Sequence, residues 1–209
     1  YSFVSETYPE RTTYARDEWL RRSQIAMLGA GVHGRFVHVY LNGLYWGLYN
    51  LVERPDADFA ASYFGGDKGD WYSGSQGGTV SGPIDRFQVL RDLAAAGGLA
   101  DPQKYATMLE FIDPVEFCDY LIVNWYAGNE DWPENNWYAN VQYPAGRNML
   151  FVWDGERTWT PGAAAAGAPG GANIRLGPDD GGHTESPNVI KREALASMDN
   201  PGFRTVLAD

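Results

Sequence analysis

The sequence contains very little cysteine and histidine. Its 209 residues include one cysteine, Cys118, and three histidines, His33, His38 and His183. A single thiol cannot form an internal disulfide, and it cannot build a cysteine-rich zinc cluster. His33 and His38 lie five positions apart, but no nearby imidazole, thiol or carboxylate in the sequence completes a metal site. Thiol and zinc chemistry are therefore poor explanations of what this chain does.

Long apolar runs and an excess of positive charge are also missing. No stretch approaches the ~18 consecutive apolar residues that span a bilayer, and no basic segment followed by an apolar one opens the sequence. The 16 Lys and Arg residues against 27 Asp and Glu give a formal net charge of -11, which disfavours a nucleic-acid partner. An acidic chain suits a divalent cation better. Because it opens at Tyr1 inside polar material, we interpret it as a fragment of a longer chain.

The chain does contain regular patterns of helix and hairpin, and its length fits about one large domain. Residues 12–28 place apolar side chains between charges behind a threonine cap, which predicts an amphipathic helix. Aromatic and β-branched runs flank Asn42-Gly43 and predict a hairpin, because a type I′ turn needs positive φ at both central residues. Pro55 ends the second strand of this hairpin.

Further helices are predicted behind residues that commonly begin them. Asp56, Asp101 and Asp113 can each cap a helix, and Pro83 opens another. The helix behind Asp113 is apolar nearly all the way round, so we expect it to be buried in the domain. Residues 65–83 are rich in Gly, Ser and Asp, and they predict a loop with at most one weak strand, around Trp71 and Tyr72.

A dense polar patch follows this apolar helix. Residues 129–137 contain Asp131 and Asn136, and a second hairpin then leads to Asp154. Phosphotransferases of the protein-kinase type need an Asp to orient the acceptor hydroxyl, an Asn five residues on to hold a metal, and a later Asp on the same metal. A short hairpin can bring two such loops within ~4 Å of each other. The alternative that these residues merely cap turns stays open.

Three stretches of the sequence resemble one known family. Residues 39–56 (VYLNGLYWGLYNLVERPD), 129–138 (NEDWPENNWY) and 151–159 (FVWDGERTW) resemble the CotH family, the spore-coat protein H type of secretory atypical protein kinases. The resemblance covers most of the chain from about residue 12. It implies ATP with Mg²⁺ or Mn²⁺ as cofactors, and phosphoryl transfer to Ser or Thr of secreted or coat proteins. It also implies an extracellular, cell-surface or spore-coat location.

The resemblance assigns roles to individual residues near the polar patch. By position, Asp131 looks like the catalytic aspartate and Asn136 like the metal-binding asparagine. Asp154 looks like the metal-binding aspartate of the D-F-G motif. Glu156 follows where the family often has a second acid, so it is a further candidate metal ligand.

The fold implied by the resemblance is α+β and protein-kinase-like. Residues 1–54 would form a truncated N-lobe of a helix and a hairpin, and residues 55–209 a mainly helical C-lobe with a hairpin between catalytic and metal loops. The Gly, Ala and Pro-rich residues 160–183 predict a flexible loop. Short helices are predicted near 189–198 and 201–207.

The nucleotide site implied by the resemblance is incomplete in this sequence. Glu53 and Arg54 would lie at the hinge beside the adenine, and Glu18 or Asp17 would be the acid of helix αC, unless that helix face is simply solvated. The glycine-rich strands and the ATP-pairing lysine should precede the first helix, but they are not found there. The chain's lysines are Lys68, Lys104 and Lys191. Activity of this segment alone therefore stays open.

Two other functions remain open on sequence grounds. The first is a catalytically inactive coat or surface protein of the same fold that serves as an adhesin or scaffold. The second is a glycoside hydrolase that uses Glu130 and a nearby acid, with the abundant Trp and Tyr stacking on sugars. The second is weaker, because no alternation of strands and helices supplies the usual barrel.

Overall fold

A computed structural model describes residues 13–76, 78–129, 132–133, 135–159 and 200–208. Within them, six α-helices and two small antiparallel sheets form an α+β arrangement, which agrees with the predicted class. The division into a truncated N-lobe and a C-lobe stays a prediction. None of the helices described is both long and apolar enough to cross a membrane.

The elements follow one another in a simple order. The helices are α1 Arg16–Leu28, α2 Ala57–Phe64, α3 Asp85–Ala96, α4 Pro102–Met108, α5 Pro114–Ala127 and α6 Pro201–Ala208. The strands are β1 Gly34–Leu41, β2 Leu44–Val52, β3 Trp71–Ser75, β4 Gly78–Ser81, β5 Trp137–Gln142 and β6 Asn148–Val152. The predicted last helix is confirmed as α6, whereas the predicted loop 160–183 and helix 189–198 lie outside the described residues.

The β1–β2 hairpin forms as predicted. Asn42 and Gly43 occupy its turn with φ values of 51° and 82°, and Leu41 pairs with Leu44. Asparagine and glycine are the residues that adopt these left-handed angles most readily. Many apolar side chains of the hairpin are exposed, including Leu44 at 72% and Trp46 at 61%.

The second sheet has the strand order β4-β3-β5-β6. Strand β3 confirms the weak strand predicted around Trp71 and Tyr72, whereas β4 corrects the prediction that the rest of residues 65–83 is a loop. Both aromatic residues that begin β3, Trp71 and Tyr72, are buried. The ladder pairs Ser73 with Asn140 of β5, so long-range pairing orders a segment whose local composition favours a loop.

The predicted aspartate caps are present on three helices. Asp56, Asp101 and Asp113 each accept hydrogen bonds from two backbone N–H groups at the start of α2, α4 and α5. Helix α5 is central but is not buried all round, because Val115 and Ile122 are exposed. Its buried face joins the sheet and α3 in the main core, whose largest members include Tyr72, Phe87, Tyr120, Leu121 and Trp137.

Helix α1 contradicts two details of its prediction. The expected threonine cap is wrong, because the residue before the first turn is Ala15 and no side chain caps the helix. The buried face is also mostly polar: its buried residues are Glu18, Leu20, Arg21 and Gln24. Burial of these groups is tolerated because they bind one another or the sheet, which a periodicity of apolar residues cannot reveal.

Gln24 joins α1 to the outer strand of the second sheet. Its side-chain Nε2 donates to the carbonyl of Leu150 at 2.7 Å, and its Oε1 accepts from the N–H of Val152 at 3.0 Å. These two bonds satisfy backbone groups on the side of β6 that no strand pairs with among the described residues. Helix α1 is thereby fixed against the strand that leads to Asp154.

Candidate active site

The polar loop, which is the polar patch of residues 129–137 named above, and the turn after β6 meet at Asn136 and Asp154. The Asn136 side-chain Nδ2 donates to the main-chain carbonyl of Asp154 at 3.1 Å. Asn136 is buried, whereas Asp154 is exposed and Glu156 is half-buried. The structure therefore brings together two of the predicted metal-binding positions. Asp131 and Glu130 lie outside the described residues.

Both residues have left-handed backbone angles. The φ value is 63° at Asn136 and 51° at Asp154, in a region that residues other than glycine rarely occupy. Such angles cost about 1–3 kcal/mol each and persist where the surroundings hold them in place, which occurs often at functional sites. The backbone thus supports a functional interpretation of this place.

The polar loop is anchored on helix α5. The N–H of Asn129 donates to the Asn124 carbonyl, and its side-chain Nδ2 donates to Asn124 Oδ1, both at 3.1 Å. Farther along, Trp132 Nε1 donates to the Tyr120 hydroxyl at 2.7 Å. Burial raises the pKa of Tyr120, so this hydroxyl stays protonated. The residues on both sides of 130–131 are therefore tied to one rigid helix.

The first turn of α1 holds the Asp154 turn from the other side. Asp17 Oδ1 accepts from the N–H of Gly155 at 2.9 Å, and Arg16 Nη1 donates to the carbonyl of Glu156 at 3.3 Å. Gly155 packs so closely on Leu20 that a Cβ would lie 2.7 Å from its Cδ2 atom. Sequence reasoning considered Asp17 only as a candidate acid of helix αC or as part of a solvated helix face, and it missed this contact.

Glu18 faces away from that turn, toward two arginines. Its carboxylate binds Arg21 Nη2 at 2.9 Å and Arg22 Nε at 2.6 Å, and accepts from Asn50 of β2 at 3.3 Å. Burial alone would raise the pKa of Glu18, but these hydrogen bonds and positive charges outweigh it and lower the pKa overall. Its predicted role as the αC acid stays a prediction.

An aromatic cluster closes the same corner of the molecule. The Trp19 ring on α1 lies 5.1 Å from that of Trp159, and the Tyr126 ring on α5 lies 5.2 Å from Trp159. The N–H of Trp159 also donates to the Ala127 carbonyl. Edge-on aromatic contacts of this kind stabilise a corner beyond simple burial. The segment after Asp154 is thus attached to both α1 and α5.

The predicted hinge residues bind neighbours around the β5–β6 pair. Glu53 accepts from the N–H of His33 at 3.0 Å and from the Tyr63 hydroxyl at 2.6 Å. Burial would raise the pKa of Glu53, but these hydrogen bonds lower it overall. Arg54 Nε donates to the hydroxyl of Tyr138, two residues beyond Asn136. The hinge segment is thereby connected to the strand that follows the polar loop.

The described residues include no group of three His, Cys, Asp or Glu side chains placed to hold a metal ion. His33 lies beside Glu53, and His38 Nδ1 lies 3.1 Å from the Tyr45 hydroxyl. A cation at this corner would depend on asparagine and carboxylate oxygens, which hard divalent ions prefer.

These contacts define an α+β protein in which a polar loop, an acidic turn and an N-terminal helix converge at one corner. Residues 26–192 match the CotH kinase protein family. The chain belongs to this family, in agreement with the resemblance found in its sequence. The matched range includes the polar loop, both strands of the second hairpin and Asp154. Comparison with curated proteins finds no match.

Proposed function

We propose that this chain is a CotH-type protein kinase that transfers the γ-phosphoryl group of ATP to Ser or Thr hydroxyls of secreted, coat or surface proteins. The observation that carries the proposal is the hydrogen bond between the Asn136 side chain and the Asp154 main chain, in a chain of a family named for kinase activity. Phosphoryl transfer depends mainly on positioning and charge stabilisation, which a rigid asparagine–aspartate corner can supply.

The donor atoms at this corner fit Mg²⁺ or Mn²⁺. The Asn136 nitrogen is already bound to Asp154, so its amide oxygen is the side-chain atom left for a cation. Asn136, Asp154 and Glu156 would hold the ion through oxygens alone. When bound, such an ion neutralises charge on the phosphate oxygens.

The protein's own residues would perform the remaining tasks. Asp131, two positions along the sequence from the anchored Asn129, would accept a hydrogen bond from the acceptor hydroxyl and orient it. Glu53 and Arg54 would border the adenine, and their contacts with Tyr63 and Tyr138 limit their movement. Glu18 would order α1 through its arginine pairs.

The proposal is tested with the full-length protein, labelled ATP and Mn²⁺. Asp154→Ala should abolish transfer to protein substrates, a loss of at least ~10³-fold, because a ligand of the phosphate-bridging metal is removed. Asp92→Ala is the matched control, since this exposed helical acid contacts Gln88 instead. Full transfer by Asp154→Ala, or no heat of ATP–Mn²⁺ binding in calorimetry of the wild-type protein, would overturn the proposal.

A second candidate function is binding without catalysis, as in an inactive coat or surface protein. The exposed apolar side chains of the β1–β2 hairpin, such as Leu44, Trp46 and Leu51, favour it. Calorimetry separates the two candidates, because a binding-only protein gives no heat of ATP–Mn²⁺ binding. Such a protein also still captures its partner after Asp154→Ala.

A further inference from the structure

We infer that Asp17 of α1 is a positioning residue, which fixes the direction of the Asp154 side chain by holding the peptide unit between Asp154 and Gly155. The catalytic meaning of this inference rests on the proposed function. Asp17 is 138 positions away from the group it binds. No metal, nucleotide or acceptor need touch it. Its effect would pass through the main chain between Asp154 and Gly155.

The Asp154–Gly155 peptide unit is held at both of its polar ends. Its carbonyl accepts from Asn136 Nδ2 at 3.1 Å, and its N–H donates to Asp17 Oδ1 at 2.9 Å. The two groups of a trans peptide point in opposite directions, so the polar loop holds one side and α1 the other. With both ends held, this peptide plane cannot rotate without breaking at least one bond.

That plane determines where the Asp154 side chain points. Residue 154 has φ of 51° and ψ of 56°, and its ψ angle describes rotation about the bond that joins it to the held peptide. Aspartate occupies other regions of φ and ψ more often than this left-handed one. Loss of either bond would allow the plane to rotate and the carboxylate to turn away.

Asp17 is itself held in a fixed orientation. Its second oxygen, Oδ2, accepts from Arg21 Nε at 3.0 Å, and the Arg21 side chain is completely buried. Arg21 in turn binds Glu18, so the carboxylate of Asp17 has one oxygen on an arginine and the other on the peptide. A carboxylate with both oxygens bound is a stiff support, and its bond to the N–H is strengthened by charge.

The space around Gly155 leaves few other positions for the turn. A Cβ at residue 155 would lie 2.7 Å from Leu20 Cδ2 and 3.3 Å from Asp17 Cα. Arg16 also holds the following carbonyl, at Glu156. Helix α1 therefore determines the backbone on both sides of Gly155, and Asp17 supplies the bond nearest to Asp154.

The inference is tested on the full-length protein with two variants of one residue. Asp17→Ala removes the acceptor, whereas Asp17→Asn keeps one oxygen that can accept from Gly155 and loses only the acceptor for Arg21. The control is Asp92→Ala, a helical acid with its own hydrogen bond to Gln88. Circular dichroism confirms that each variant is folded before it is measured.

Two readouts separate positioning from a general loss of stability. Amide exchange at Gly155 should accelerate about tenfold or more in Asp17→Ala and less than about threefold in Asp17→Asn. The Kd for Mn²⁺, measured by water-proton relaxation without ATP, should rise about tenfold in Asp17→Ala and recover in Asp17→Asn. An unchanged exchange rate or an unchanged Mn²⁺ Kd in Asp17→Ala overturns the inference.

These readouts distinguish this inference from the proposed function. Wild-type protein that binds Mn²⁺ but transfers no phosphate contradicts the kinase proposal, and the Asp17 variants still decide whether the peptide is held. Conversely, normal phosphoryl transfer with unaltered Mn²⁺ Kd in Asp17→Ala supports the kinase proposal and refutes the role of Asp17.

Discussion

The turn of the β1–β2 hairpin and the turn at Asp154 share a backbone angle but are held in different ways. Asn42 and Asp154 both have φ of 51°. In the hairpin, the adjacent Gly43 and the pairing of Leu41 with Leu44 make this angle favourable within four residues. At Asp154, the support comes from Asn136 and from Asp17.

This comparison shows how local and distant support lead to different kinds of stability. The hairpin needs only its own sequence to turn, yet its apolar side chains remain exposed. The Asp154 turn likewise has an aspartate followed by a glycine, Gly155, but its angle is also held from a distance by α1 and the polar loop. A strained aspartate held from far away is typical of a working site rather than a connection.

The largest effect should follow replacement of Arg21, which packs against Gly34 of the hairpin and reaches the Asp154 turn through Asp17. Its side chain is completely buried between Asp17 and Glu18, and a Cβ on Gly34 of β1 would overlap its guanidinium. Arg21→Met should lower the free energy of unfolding by about 3–5 kcal/mol, because it removes the buried arginine from the buried Glu18 and the half-buried Asp17. Urea denaturation measures this loss.

The matched control for Arg21 is its neighbour on the same helix. Arg22 binds the same Glu18, but its side chain is 71% exposed. Arg22→Met should cost no more than about 1 kcal/mol. Equal losses of unfolding free energy in Arg21→Met and Arg22→Met would show that the buried ion pairs of Arg21 do not join the hairpin to the Asp154 turn.

A change confined to the hairpin should have an intermediate effect. Gly43→Ala places a side chain at φ of 82° and should cost about 1–2 kcal/mol. Amide exchange should accelerate in β1 and β2, while the N–H of Gly155 keeps its wild-type rate. Gly69→Ala is the control, because a Cβ there meets open space. Faster exchange at Gly155 in Gly43→Ala would mean that the two turns are coupled.

The smallest effect should come from acid. The pKa of Glu18 lies below its ordinary value of 4.5, so the native protein binds this proton less readily than the unfolded chain. The stability it contributes is present above about pH 4.5 and is lost as the pH falls through the lower native pKa. Glu18 also accepts from Asn50, so acid should loosen α1 from the hairpin.

Glu18→Gln provides the comparison for this titration. It should flatten the dependence of the unfolding free energy on pH below the ordinary pKa of a glutamate, because its amide does not titrate. A slope identical to that of the wild type would assign the acid sensitivity to other carboxylates.

Features with local causes were predictable from the sequence. The Asn42-Gly43 turn and the caps at Asp56, Asp101 and Asp113 each depend on residues within a few positions of one another. The second hairpin, which brings Asn136 near Asp154, was predictable for the same reason.

Features with distant causes were not predictable. The sequence indicates at most a weak strand around Trp71 and Tyr72, whereas pairing with β5 extends β3 through Gly74 to Ser75. The polar face of α1 is buried because Glu18, Arg21 and Gln24 find partners that are charged or distant in sequence. No periodicity of apolar residues indicates such a face, and nothing near Asp17 in the sequence indicates Gly155.

The two bonds of Gln24 have a further consequence for assembly. An open strand edge can template the addition of a strand from another molecule, which leads to aggregation. By binding the carbonyl of Leu150 and the N–H of Val152, one side chain occupies the edge where a foreign strand would attach. A strand added along this edge of β6 would therefore have to displace the contact that places α1 beside the Asp154 turn.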